Sequence, residues 1–289
     1  MAERIVTLLP HGELRAPFIV VAFSGWTDAG AAGTLALAHL ATIWNAQPIA
    51  QFDADMVFDY RSSRPTLDIE SGIRGPLQWP EIRCLWAPTP GERDAVLLTG
   101  PEPDLNWQGF CREVVALAGH LGIRQSISLG AIPAAVAHTR PVPLLATASR
   151  PDIVDSSVVM QGSFRVPAGA TSATESSFGQ AGLEAVGFWA QVPHYLGQAP
   201  YPGAAAALLR RLGGHVGVGI DADELEVAAQ KLREQTDAAL AEQPEAAAFV
   251  RNLEALAGPA PAGEFPTQLP SGEELATEIE RYLRGHPPK

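Results

Sequence analysis

Four short stretches of this sequence carry side chains able to do chemistry, and each follows an apolar run. Ser24-Gly25-Trp26-Thr27-Asp28-Ala29-Gly30 holds a tryptophan and a carboxylate. Thr99-Gly100-Pro101-Glu102-Pro103-Asp104-Leu105-Asn106-Trp107 holds two more carboxylates and a second tryptophan. His138-Thr139-Arg140-Pro141 and Pro193-His194-Tyr195 add two imidazoles, a guanidinium and a phenol. A further stretch over 52–65 has the form FDxDxxxDYRxxRP and sets Asp59 close to Arg61 and Arg64. Imidazoles such as His138 or His194 suit proton transfer near neutral pH. Arg61, Arg64 or Arg140 could clamp an anion through paired hydrogen bonds. Together they sketch a hydrolase or transferase site for a small anionic or nucleoside-like molecule.

Each of these residues also has a structural use. Asp28 stands where an N-cap is needed for the small-residue helix that follows, accepting from an N–H two or three residues on. Trp26 and Trp107 are expected to pack, as most tryptophans do. His138 and Arg140 lie in a turn before Pro141 and can satisfy backbone carbonyls, while His194 and Tyr195 can be core or interface residues. Asp53, Asp55 and Asp59 lack the glycine turn and distal glutamate of a calcium loop. With Arg61 and Arg64 they are expected to form a loop-ordering salt-bridge network, worth ~0–1 kcal/mol per surface pair. Ser24 precedes a glycine without the GxSxG elbow of a serine nucleophile. The turn at 24–30 has neither the Lys-Ser/Thr of a P-loop nor a GxGxxG spacing, and a carboxylate at the helix start would repel a phosphate. No metal site and no cofactor are expected.

Composition narrows the classes further. The chain has 289 residues, 46% hydrophobic and 18% charged, enough for a substantial core. Its net charge of −12 argues against non-specific nucleic-acid binding. Residues 221–289 hold 14 acidic and 6 basic side chains, so −8 of that charge sits in the last quarter. Cys84 and Cys111 have no CxxC partner, which fits a reduced cytoplasmic protein. No signal-peptide pattern opens the sequence, and no uncharged apolar run reaches the ~18–20 residues of a membrane span.

The elements that must position these residues read as an α/β chain. Residues 4–9 suggest an edge strand, and Phe18 to Phe23 a strand buried on both faces. A helix from Ala29 to about Trp44 follows, then strands at 48–52, 81–87 and 94–99. Trp107 to Leu121 is a helix with Phe110, Val114, Leu117 and Leu121 on one face. Strands are expected at 125–129, 142–148 and 188–192, with a long loop or lid over 151–178 and a short helix over 175–187. Ala204 to Leu212 is a helix, and Asp221–Leu240 with Glu245–Leu256 reads as a helical hairpin. Its first helix offers Leu225, Ala228, Leu232 and Ala239 as an apolar face that needs a partner, within the chain or between subunits. The division expected is a core domain over 1–218, the hairpin over 219–257, a linker over 258–270 and a final helix and tail over 271–289. If the strands before the four stretches are parallel, all four lie along one sheet edge.

Those four stretches, with the 52–65 pattern, resemble the proteasome assembly chaperone 2 family, particularly its bacterial branch in actinobacteria, over about residues 18–256. The resemblance implies a three-layer α/β/α sandwich similar to the nucleoside phosphorylase/hydrolase fold, followed by a helical segment. It also implies a self-associating protein, a homo-oligomer of trimer or dimer form, with proteasome subunits as possible partners; composition adds a cytoplasmic location with neither nucleic acid nor membrane as partner. Ring-docking relatives resemble one another in a C-terminal hydrophobic–Tyr–any-residue tail. The present sequence ends Gly285-His286-Pro287-Pro288-Lys289 with Tyr282 further inside, so docking by that route is not expected. The resemblance thus favours a non-catalytic, protein-binding chaperone, with the small-molecule hydrolase or transferase as the alternative.

Overall fold

The computed structural model describes residues 5–155, 158–163, 165–197 and 199–256. The expected linker and final helix lie outside them. Ten strands are formed among the described residues: β1 (Val6–Leu8), β2 (Phe18–Ser24), β3 (Gln47–Phe52), β4 (Ile69–Glu70), β5 (Ile73–Arg74), β6 (Arg83–Pro88), β7 (Asp94–Pro101), β8 (Gln125–Ala134), β9 (Leu144–Ala148) and β10 (Glu184–Pro193). The α-helices are α1 (Ala32–Ile43), α2 (Trp107–His120), α3 (Ala170–Gln180), α4 (Pro202–Val216), α5 (Asp223–Ala241) and α6 (Pro244–Leu256). Eight strands make one sheet in the order β1-β3-β6-β7-β2-β8-β10-β9.

The core follows from the period of the central strand. Every residue from Phe18 to Phe23 is buried, with Phe18, Val20 and Ala22 facing one layer and Ile19, Val21 and Phe23 the other. The first layer contains α1, α4 and the buried Leu225 of α5, and the second contains α2 and α3. This is a three-layer α/β/α sandwich. Gly33 lets α1 lie against the sheet, since a Cβ there would stand 2.6 Å from the Leu129 carbonyl oxygen. Side chains such as Leu37 and Phe110, fully buried between layers, contribute about 1.5–3 kcal/mol each.

The four strands that precede the chemistry-bearing stretches are neighbours and mutually parallel, in the order β7, β2, β8, β10. Around them the sheet is mixed: β6 returns antiparallel to β7, and β9 lies antiparallel at the edge beside β10.

Two expectations are corrected. The supposed lid over 151–178 is shorter, because α3 starts at Ala170, and β10 begins at Glu184 where a helix was expected. Ala170-Thr171-Ser172-Ala173-Thr174 has weak helical periodicity of its own; it is held by packing Phe178 into the core and by a carboxylate from another loop. The inward face of α5 is also different. Leu225 is buried and Ala229, Leu232, Thr236 and Leu240 are half-buried, whereas Ala228 and Ala239 are exposed.

Candidate functional site

Parallel strands carry the four stretches to one edge of the sheet, but their side chains gather in three separate groups. The first joins the β2 and β7 loops to α3. The Oε2 atom of Glu102 accepts from the Trp26 backbone N–H at 3.4 Å, and its Oε1 atom accepts from Ala170 N–H, the first residue of α3. Asp28 caps α1, but from further away than expected. A short 3-10 turn over Ala29–Ala31 intervenes, so Oδ1 accepts from Gly33 N–H at 2.7 Å and Oδ2 from the Thr34 hydroxyl at 2.5 Å. Burial pushes the Asp28 carboxyl up, and those hydrogen bonds only partly oppose it. Trp26 departs from the packing expectation: it is 68% exposed at the tip of the turn.

The second group lies beyond β7. Asp59 pairs with Arg61 through two contacts of 3.1 and 2.9 Å, and hydrogen bonds from Arg61 hold its carboxyl down to about 2. Asp104 accepts from Asp59 N–H at 3.0 Å, and Trp107 donates its indole N–H to the Pro103 carbonyl at 2.6 Å. The expected salt-bridge network is mostly a hydrogen-bond network. Asp53 accepts from Asp55 N–H and Asp55 from the Tyr60 hydroxyl, while Arg64 is exposed beside them.

The third group joins the β8 and β10 loops to the helical hairpin. Tyr195 oxygen accepts from His138 N–H at 2.8 Å and lies 2.7 Å from His138 Nδ1, while His138 Nε2 lies 3.1 Å from Asp237. The Asp237 carboxylate can only accept, which places a ring proton on Nε2 facing it; in the neutral ring the Tyr195 hydroxyl then donates to Nδ1. The His138 side chain is only 2% exposed. His194 lies on the outer side of Tyr195, its ring 5.8 Å from both Tyr195 and Phe249, with Nδ1 3.0 Å from the Ala134 carbonyl. Thr139 donates to the Glu254 carboxylate, and Arg140 reaches the Glu254 carbonyl at 3.4 Å.

A cleft of about 320 Å³ opens beside this third group, between the 138–142 loop, α4 and α5. Arg140, Arg210 and Arg233 line it together with Tyr201 and Gln230. Arg210 is paired with Glu226, and Arg233 stands 3.9 Å from Asp237. Burial raises the Tyr201 phenol to about 12, so it remains a proton donor at neutral pH. The arrangement can receive an anion if the cleft carboxylates yield their arginines.

His138, His194 and Tyr195 are therefore brought together, whereas Asp59 and Arg61 stay with the Asp104–Trp107 loop in another group. Asp237, Phe249, Arg210 and Arg233 were not singled out from sequence. Their only signal is the periodicity of α4, α5 and α6, which does not say which loop a helix face meets. Among the described residues no cluster of three or more His, Cys, Asp or Glu side chains could hold a metal. No helix of the described residues is long and apolar enough to cross a membrane.

Comparison with known proteins gives the arrangement a lineage. The PAC2 family model matches residues 22–240. A Mycobacterium tuberculosis protein of unknown function, Rv2714, has a crystal structure 34% identical in sequence, with a TM-score of 0.81 over 87% of this chain and 90% of that one. The M. tuberculosis proteasome-assembly chaperone homologue Rv2125 is 36% identical, with a TM-score of 0.75 over 81% of this chain and 99% of its own. A PAC2 family protein from Streptomyces avermitilis is also 36% identical, with a TM-score of 0.72 over the same shares. Comparison with curated proteins finds no match. With the family model matching residues 22–240 and the fold shared with family structures over 81% of its length, the chain belongs to the PAC2 family.

Proposed function

We propose that this chain is a non-catalytic, chaperone-type protein of the cytoplasm that self-associates and binds other proteins, proteasome subunits among them. Kinship with a proteasome-assembly chaperone homologue supports the reading. The observation that carries it is how the candidate site residues are employed. Glu102 and Asp28 cap helices, and Asp59 orders its own loop. His138 is sealed between Tyr195 and Asp237. The large apolar side chains left open to solvent at the strand edge are Trp26 and, in the neighbouring loop, Leu105, which is 48% exposed. Tryptophan at the centre of a contact is a common anchor of protein–protein affinity. Affinity capture from an extract of the source cell, with the chain as bait and a Trp26→Ala chain as control, tests this. Repeated capture of the same protein by the first and not the second supports it; capture of nothing beyond the bait overturns it.

The cleft lined by Arg140, Arg210 and Arg233 favours a second reading, a small-molecule hydrolase or transferase acting on an anion. Its volume lies at the lower end of ligand pockets. Thermal shift against nucleosides, inorganic phosphate and carboxylates checks it. A rise in melting temperature abolished by Arg140→Ala supports it, and no shift with any probe eliminates it.

A further inference from the structure

Residues 66–79 form an arm that the rest of the chain does not cover. Strands β4 and β5 pair antiparallel through a two-residue turn, Ser71-Gly72, whose φ angles of 50° and 83° are those of a type I′ hairpin. The arm is ordered internally. Gln78 donates to Asp68 at 3.0 Å, Thr66 and Gln78 exchange backbone hydrogen bonds, and Tyr60 packs edge-on against Trp79 at 4.7 Å. Yet Ile69 is 63% exposed, Ile73 75%, Leu77 48% and Trp79 53%. A two-stranded ribbon is marginal in water by itself, and a cluster of large exposed apolar side chains marks an interaction surface.

The register says what kind of surface would receive it. Ile69 stands opposite Arg74, and Glu70 opposite Ile73. Opposed residues share a face of the ribbon. One face therefore carries Ile69 with a cation, and the other Ile73 with an anion. A flat surface could cover only one of these faces, so the host must be concave and must offer charges of both signs.

This chain contains such a host. A groove of about 520 Å³ lies where α1 leaves the β3–β6 end of the sheet bare. Its walls include Leu37, Ala38, Pro48 and Leu85, and its rim carries Glu81 and Arg83. A 150 Å³ apolar cavity holds one benzene, so this groove has room for about three such groups, enough for the two isoleucines and a leucine of the arm. None of residues 66–79 lines the groove of its own chain. We infer that the arm of one copy inserts into the α1/β6 groove of another, with Arg74 meeting Glu81 and Glu70 meeting Arg83. This contact rests on the self-association proposed above and gives it a location.

Two variants of the full chain test it: Ile69→Asp with Ile73→Asp in the arm, and Ala38→Trp, which fills the groove from an exposed helix position. Mass in solution is measured by light scattering during gel filtration, with circular dichroism and thermal melting to verify folding. Wild type is expected to be oligomeric. Each variant is expected to be folded and monomeric, its self-dissociation constant raised about 100-fold or more. The arm variant retains a groove and the groove variant retains an arm, so mixing them is expected to give a one-to-one heterodimer. An oligomeric wild type whose arm variant keeps the same mass, or two monomeric variants that do not combine, overturns the arm-in-groove contact while leaving self-association standing. A monomeric wild type at high micromolar concentration overturns both.

Discussion

Tyr195 and His138 are joined twice, the phenol oxygen lying 2.8 Å from the His138 backbone nitrogen and 2.7 Å from Nδ1 of its ring. One hydroxyl thus fastens the loop after β8 to the loop after β10, and Asp237 extends the chain to α5. The arrangement has the order of a proton relay but is closed to solvent at its centre. It holds the helical hairpin on the sheet edge.

Replacing Tyr195 by Phe leaves two buried groups of His138 without a partner. Unfolding in urea, followed by circular dichroism, is expected to show a loss of about 1–3 kcal/mol. His194→Ala, at an exposed ring, is expected to cost no more than about 0.5 kcal/mol. An equal loss in the two variants would show that the fastening lies elsewhere.

Glu175 makes stability depend on pH. The Thr147 hydroxyl donates to its Oε1 at 2.6 Å, the Trp189 indole N–H donates to Thr147 at 2.9 Å, and Oε2 is buried without a partner. Burial raises this carboxyl from 4.5 to about 7, against the smaller opposing effect of the Thr147 bond. Below 4.5 both folded and unfolded chains are protonated there, and nothing is lost. As pH rises towards 7 the unfolded chain ionises first, so the group's contribution declines by on the order of 3 kcal/mol and then levels off. Glu175→Gln is expected to flatten this part of the pH–stability curve and to be more stable than wild type at pH 8. An unchanged curve would remove Glu175 as its cause.

Glu102 supplies the acceptor that the start of α3 lacks in its own sequence. Glu102→Ala is expected to cost about 1 kcal/mol. Backbone hydrogen exchange should accelerate at Ala170, where the capping bond is lost, and stay unchanged in α2. Exchange that is unaltered at Ala170 would mean that other groups hold the helix start.

Trp26 separates stability from binding. Because it is 68% exposed, Trp26→Ala is expected to leave the melting midpoint within the change produced by about 0.5 kcal/mol. The same substitution is expected to weaken partner capture at least tenfold, since a tryptophan anchor is worth about 2 kcal/mol or more. Undiminished capture would move the contact away from this edge.

The sequence by itself determined the strands whose apolar runs are unbroken, such as Phe18 to Phe23, and the helices with a clean period, such as α2. It also determined that four polar stretches follow four strands, and those strands are parallel neighbours in the sheet. Local chemistry suffices there, because burial on two faces and helical periodicity leave their mark residue by residue. It placed Asp28 at the helix start but not the intervening 3-10 turn, which shifts its partners to Gly33 and Thr34. Only the tertiary structure decided which side chains meet. Ala170 begins a helix because Glu102, 68 residues away, accepts its N–H. His138 and Asp237 are 99 residues apart and share a hydrogen bond because α5 folds back over the sheet edge. Residues 66–79 contain strand-forming isoleucines around a Ser-Gly turn, but their exposure is a property of where the rest of the chain is not. Contacts between distant segments depend on strand order and layer assignment, which no local pattern encodes.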